Sequence, residues 1–347
     1  MRHTFNKSFL FFLLILFCVS FAFAQTEREK GIELYNQGKN KEAVATLEKA
    51  SSRKETKTDA DVWNFLGLAY TRDEAFKKAI KAFEKAVGIN PQNAIYQTNL
   101  AYVYFLNNNL DKAQAASTKA IGLNSQNATA YYIRGAASVW EGDNDNAISD
   151  ADQAIAIDPD HSLAYVLKSD ALLLSFGRRV GGGLRPFDEV GLLQQAKEVL
   201  EICLKNCRNN PQTELQQKKL DALEVFYKYF SKNRDAMLNQ ASDASPNQPV
   251  SVSPLPDPGV TPLKILKKPP AAYTNNAREN RIEGTIRMAV FLSESGRVTH
   301  TLILKGLGGG LNESAVNAAR QIKFVPATKD GKPFSQIRII DYSFDIQ

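Results

Sequence analysis

The chain has 347 residues, 44% of them hydrophobic, and a formal net charge of +6 at pH 7. That length accommodates two domains. Three cysteines exclude a disulfide-dominated scaffold, so stability must come from burial.

The N-terminus carries Arg2 and Lys7, then an apolar run from Phe9 to Phe23 ending in Ala22-Phe23-Ala24. This is the pattern of a secretory signal peptide over residues 1–24. The run falls short of the roughly 20 apolar residues that span a bilayer; an uncleaved anchor is the competing reading. Cys18 follows the bulky pair Leu16-Phe17, which argues against lipidation. Export predicts a bacterial periplasm, with any membrane association running through this N-terminal segment.

A fixed 34-residue period follows. From Ala60 the chain places Trp63, Leu66, Gly67, Tyr70, Ala79, Phe83, Ala86 and Pro91 at spaced positions. One period later come Leu100, Ala101, Tyr104, Ala113 and Ala120, and another gives Tyr131, Gly135, Ala147, Ala154 and Pro159. An earlier copy supplies Gly31, Leu34, Ala43, Leu47 and Ala50. Small residues let paired antiparallel helices approach, large ones fill the seam, and the prolines stop the second helix of a pair. From about Glu27 to Asp160 the sequence resembles the tetratricopeptide-repeat family, which implies an all-α solenoid. The resemblance also implies a peptide-binding concave face lined by first helices, here Asn64, Leu68, Thr98, Tyr102, Phe105, Tyr132 and Val139. Its aromatic residues favour an apolar or extended peptide; the groove's other occupants are this chain's own linker or a dimer partner.

A fifth helical pair is expected at Ala164–Leu174 and Leu192–Leu204. Between them lies a long loop, Gly177-Arg178-Arg179-Val180-Gly181-Gly182-Gly183-Leu184-Arg185-Pro186, read as a surface insertion in preference to a phosphate or acidic-peptide site. Cys203 and Cys207 share one helix face, a spacing whose parallel side chains strain a disulfide. They are expected to be buried thiols. A helix from Glu214 to Phe230, with Leu220, Leu223, Phe226 and Tyr229, is expected to cap the array at residue 233 and to present a solvated outer face. Residues 234–262 are assigned as linker. Its stretch from Ser242 to Pro262 holds six prolines and predicts an extended tether of about 65 Å at roughly 3.1 Å per residue.

Residues 263–347 read as a compact α+β unit. It carries 13 Lys and Arg against 7 Asp and Glu, while residues 25–262 carry a net −2. The basic excess could steer acidic partners or anionic lipid heads, but no basic stripe is interleaved with aromatics, and nucleic acid is not an expected partner. A short helix is predicted over Ala271–Asn280. Thr285–Leu292 and Val298–Leu304 alternate and are joined by a turn at Ser293–Gly296, which predicts a hairpin. Asn312 is placed to cap a helix running to Lys323. A last strand, Gln336 to Asp345, switches its apolar register between Ile339 and Tyr342, which predicts a bulge at Ile340-Asp341.

This unit resembles the C-terminal domain of the TonB family. The matching pieces are Ala277-Arg278, Ile282-Glu283-Gly284-Thr285, Ser295-Gly296-Arg297-Val298, Leu311-Asn312-Glu313-Ser314-Ala315, Phe324-Val325-Pro326-Ala327 and Asp330-Gly331-Lys332-Pro333. The resemblance implies docking by strand addition, in which a short segment of an outer-membrane transporter or another envelope protein joins a sheet edge. Carried onto this chain, that edge is Gln336, Ile337, Arg338, Ile339, Ile340, Tyr342 and Phe344, with Lys332, Pro333 and Arg338 as candidates for protecting it. Departures weigh against force transmission: the spacer is short and nearly uncharged, and the opening Tyr-Pro is Tyr273-Thr274 here. The loop Gly306-Leu307-Gly308-Gly309-Gly310 lacks the third glycine of a phosphate-cradling turn.

His161 and His300 lie in different domains, without a nearby nucleophile context or metal-ligand spacing. No catalysis and no cofactor or metal are expected. Three readings stand: an exported interaction scaffold with a partner for each domain, a membrane-anchored energy transducer of outer-membrane transport, and a repeat scaffold whose terminal domain only forms a homodimer.

Overall fold

The computed structural model describes residues 26–181, 189–207, 213–241 and 259–346. The N-terminal apolar run, residues 182–188 of the Gly/Arg stretch and the prolines from 246 to 258 lie outside them. Among the described residues no helix is long and apolar enough to cross a membrane. The chain divides into two compact units, Met1–Ser138 and Val139–Gln347.

The first unit is built from helical pairs. Helix α1 spans 26–36; then come α2 (Asn40–Ser52), α3 (Ala60–Arg72), α4 (Phe76–Ile89), α5 (Ala94–Leu106), α6 (Leu110–Leu123) and α7 (Ala128–Glu141). The 34-residue period is visible in the backbone. Asp59, Asn93 and Asn127 are spaced by it, and each side chain accepts a hydrogen bond from the first turn of α3, α5 or α7. A side-chain cap of this kind is worth about 1 kcal/mol. Glu74 and Asn108 occupy the same period and take positive φ, 57° and 59°, where the first helix of a pair turns into the second. Gly31 and Gly67 meet Leu47 and Phe83 so closely that a methyl group on either would stand 2.7 Å from that side chain. Phe83, Leu47, Leu66 and Ile133 fill one core.

The second unit holds α8 (Asn144–Ile157), α9 (Ser162–Gly181), α10 (Val190–Asn206), α11 (Thr213–Ala241) and the α+β domain. Helix α9 continues through Gly177-Arg178-Arg179, where a loop was expected, because its apolar stripe extends to Phe176 and is covered. Helix α11 likewise runs eleven residues past Phe230, into the segment assigned as linker.

In the α+β domain come β1 (Val260–Thr261), β2 (Lys264–Lys267), α12 (Asn275–Glu279), β3 (Gly284–Leu292) and β4 (Val298–Lys305). They are followed by α13 (Leu311–Ala319), β5 (Lys323–Val325), β6 (Ala327–Lys329), β7 (Lys332–Phe334) and β8 (Gln336–Phe344). The main sheet has the order β4-β3-β8, with β1-β6-β7 and β2-β5 as small ribbons. Asp330 and Gly331, both at positive φ, make the tight β6–β7 hairpin as an Asp-Gly pair does. Asn312 does not cap α13. Its side chain accepts from the Leu307 N–H at 2.9 Å and closes the preceding loop, while Gly310 at φ 79° opens the helix.

The expected bulge in the last strand is absent. Strands β3 and β8 pair without interruption from Gly284↔Phe344 to Leu292↔Gln336; irregularities fall instead between β3 and β4. The apolar register switches because β8 is buried on both faces. Ile340, Tyr342 and Phe344 join Ile286, Met288 and Val290 under α13. Ile337 and Ile339 join Ala289, Leu302 and Leu304 against α9, α10 and α11. Phe291 stands edge-on to Phe226 and Tyr229 of α11 at centroid separations of 6.5 and 6.1 Å.

The capping helix buries its apolar stripe against the sheet and keeps a solvated outer side with Glu214, Lys218 and Lys228. One expectation falls with this: the terminal domain is not held away from the helices by a tether. Its sheet is their cover. The approach is closest at Gly177, where a methyl group would overlap the Leu304 carbonyl oxygen and stand 2.6 Å from Leu304 Cβ. Backbone cannot rotate aside, so overpacking here costs about 1–3 kcal/mol. Gly177→Ala is therefore expected to lower the thermal unfolding midpoint despite its better helix propensity. Gly88→Ala in α4, where nothing lies within 4 Å, is expected to raise it, through a stability gain of up to about 1 kcal/mol.

Candidate peptide-docking surfaces

The two surfaces singled out by sequence lie in different units. On the first helices, Asn64 and Thr98 are buried at 5% and 7% exposure. Both are engaged: Asn99 donates to Asn64 Oδ1 at 2.8 Å, and Asn127 donates to Thr98 Oγ1 at 2.7 Å. They tie neighbouring helices together. Leu68, Phe105 and Tyr132 are half-buried against the unit's core, while Tyr102 is 42% exposed. Val139, also half-buried, belongs to the second unit. Of the seven positions, Tyr102 is the one whose side chain is open.

Polar groups near this face are set by the same helix pairing. Tyr96 donates to Asp61 at 2.5 Å, and Asp61 also accepts from Arg28 at 2.9 Å. Burial and the adjacent carboxylate both push the Tyr96 hydroxyl up, so it remains a donor. Tyr70 and Tyr104 repeat the arrangement with Glu48 and Glu84.

On the sheet, β8 is an edge strand, hydrogen-bonded to β3 and, among the described residues, to no further strand. In an antiparallel pair, successive residues turn their N–H and C=O alternately toward and away from the partner. Two contacts give the phase. Lys268 Nζ donates to the Asp341 carbonyl at 2.9 Å, and the Ile337 N–H is hydrogen-bonded to the Tyr229 hydroxyl of α11. The odd-numbered residues of β8 therefore direct main-chain groups outward, and Gln336, Arg338, Ile340, Tyr342 and Phe344 bond inward. Lys332 and Pro333, proposed as edge guards, lie in β7 and pair with β6. Lys268 holds that position instead, with its ammonium 4.8 Å from the Tyr342 ring centroid. Neither Lys268 nor Tyr229 stood out in the sequence: one is a lysine before a proline pair, the other a member of an apolar helix stripe.

The glycine loop after β4 is packed. Methyl groups at Gly306, Gly308 and Gly309 would press on Asn312, Trp140 and the Ala277 backbone. The loop needs glycine for close approach and leaves no cradle for phosphate. His300 stands edge-on to Phe291 at 6.2 Å, and burial lowers its pKa, as it does that of His161.

Residues 28–94 and 98–162 match the tetratricopeptide repeat model, and residues 269–346 match the model described as Gram-negative bacterial TonB protein C-terminal. The chain joins a tetratricopeptide-repeat array to a TonB C-terminal domain. Both are protein-interaction modules, and together they support a protein-interaction scaffold. Helices α9 and α11, which carry the sheet, lie almost wholly between the two matches. No curated protein matches the chain. Among solved structures, that of MamA is 26% identical, covers 50% of this chain and 95% of its own, and has a TM-score of 0.42. Pseudomonas aeruginosa PilF is 14% identical over 64% of this chain and 93% of its own, at 0.46.

Beside the edge, Arg287 and Asp341 form a two-pronged cross-strand pair at 2.9 and 2.8 Å that stitches β8 to β3. Arg287 holds the Asp341 carboxyl below the usual carboxylate range. The pair's contribution is thus complete above the unfolded value near ~3.9 and is lost as pH falls through the lowered folded value. Both side chains are about two-fifths exposed, so Asp341→Asn is expected to cost about 0.2–1 kcal/mol at neutral pH. Denaturant unfolding should show that difference vanishing when repeated at acid pH.

Proposed function

We propose that this chain is an exported, non-enzymatic scaffold of the periplasm. Its TonB-type domain docks an extended segment of an envelope protein as a fourth strand beside β8, and its repeats engage a second protein partner. The observation that carries the reading is the edge position of β8, with main-chain groups of Ile339 and Ser343 directed away from β3. The sheet's two faces are already used, one by α13 and the other by α9, α10 and α11. An edge is what remains for a partner, and main-chain hydrogen bonds supply the affinity in that mode. Lys268 and Tyr229 bracket the strand at Asp341 and Ile337, so an incoming segment would pair between them or displace Lys268. In the repeats, exposed Tyr102 is the proposed contact for an apolar peptide side chain.

The test uses the phase of the strand. Proline at an outward-facing position removes a donor from the edge and leaves the ladder to β3 intact. Ser343→Pro in the full chain is expected to weaken capture of the partner by roughly tenfold, about 1.4 kcal/mol. Capture is read in intact cells with a photo-reactive side chain placed on β8. Lys268→Ser, which uncovers the Asp341 carbonyl, is expected to strengthen it. Equal capture by all three proteins would overturn strand addition. Cross-links confined to a second copy of the chain would establish the homodimer instead.

A further inference from the structure

Cys203 closes the last turn of α10 and is fully buried; Cys207 caps the helix and is half-buried. Side chains at this spacing are expected to run parallel, but here they converge. The two sulfurs stand 2.7 Å apart, well inside the roughly 3.5–4.0 Å of ordinary non-bonded contact. The Cys207 N–H still donates to the Cys203 carbonyl at 2.8 Å, which holds the α-carbons one helical turn apart, about 6 Å. That is within the roughly 4.4–6.8 Å a disulfide spans. At Cys207 itself the backbone leaves the helix, at ψ 111°.

Main-chain carbonyls lie near both sulfurs. Cys203 Sγ lies 4.0 Å from the carbonyl of Ser162, the first residue of α9, and Cys207 Sγ 4.0 Å from the Pro159 carbonyl in the turn before it. Among the described residues no cluster of three metal-ligating side chains occurs. A thiol pair with this separation, one partner reachable from solvent, is arranged for one covalent change.

We propose that Cys203 and Cys207 are a modification site: they form an intramolecular disulfide that closes the end of α10. The oxidant is an external disulfide, of a protein or of a small thiol. Cys207, the partly exposed member, gives up its proton and attacks one sulfur of that disulfide, expelling a thiolate and leaving a mixed disulfide. Cys203 gives up its proton and attacks Cys207 Sγ, expelling the second thiolate. Two electrons and two protons pass to the oxidant, which leaves as two thiols. Burial pushes both protein thiols up, so exchange with the external disulfide is slow.

The chain offers a direct readout, because Lys205 lies between the two cysteines. The folded full chain is incubated with glutathione disulfide, quenched with a thiol-blocking reagent under denaturing conditions without reductant, and digested with trypsin. The expected product is the peptide 198–205 joined to 206–208, from protein that runs as a monomer on a non-reducing gel. Reductant applied before quenching should separate the two. Cys203→Ser and Cys207→Ser should each leave the remaining cysteine open to the reagent. Recovery of the two peptides separately blocked, capped by glutathione, or linked between chains would overturn the proposal.

Discussion

The contact on which the second unit depends is the seat of β4 on α9 at Gly177. A side chain there would collide with main chain, so the helix meets the strand closely only because glycine stands at that position. Around it, Leu302, Leu304, Ala289 and Ile337 pack against Phe176, Phe226 and Phe230 in one continuous core. Burying a large aliphatic or aromatic side chain is worth about 1.5–3 kcal/mol, and several are committed to this interface. The sheet thereby loses its solvated face, while α11 keeps an exposed side that carries Glu214, Lys218 and Lys228.

That burial decides what is left for recognition. With α13 on one face and α9, α10 and α11 on the other, the three-stranded sheet offers partners its edges. Natural proteins guard such edges with charge, and lysine is the usual choice because its stem covers backbone while its head stays in water. Lys268 does this at Asp341. Tyr229 does something less common: a helix that already packs on the sheet's face also reaches an outward N–H. Within the second unit, helices α9 and α11 are therefore neighbours of the edge strand's sheet.

Much of this was legible in the residues. The 34-residue period located the helical pairs, since the pattern of small and large residues is itself the packing rule. It did not reveal the positive φ at Glu74 and Asn108, which neither residue type announces. The six TonB-like pieces located the terminal domain, and period-two alternation located β3, β4 and β8. The error at Ile340-Asp341 came from assuming one buried face; a strand covered on both sides has no single register to keep. The length of α9 was missed because Gly177-Arg178-Arg179 reads as a loop when its tertiary cover is unknown. The concave-face residues were placed by resemblance, and Asn64 and Thr98 turned out to be committed to neighbouring helices.

The sequence by itself determined the two modules, their order, the absence of a disulfide scaffold and the strand that ends the chain. These follow from local spacing, which fixes which side of an element is apolar. Only the tertiary structure decided that the sheet rests on the helices, that Lys268 and Tyr229 bracket β8, and that Cys203 and Cys207 converge. Those facts depend on which apolar surfaces find one another across long separations in the chain, and on the direction of individual side chains once they do. Periodicity carries neither.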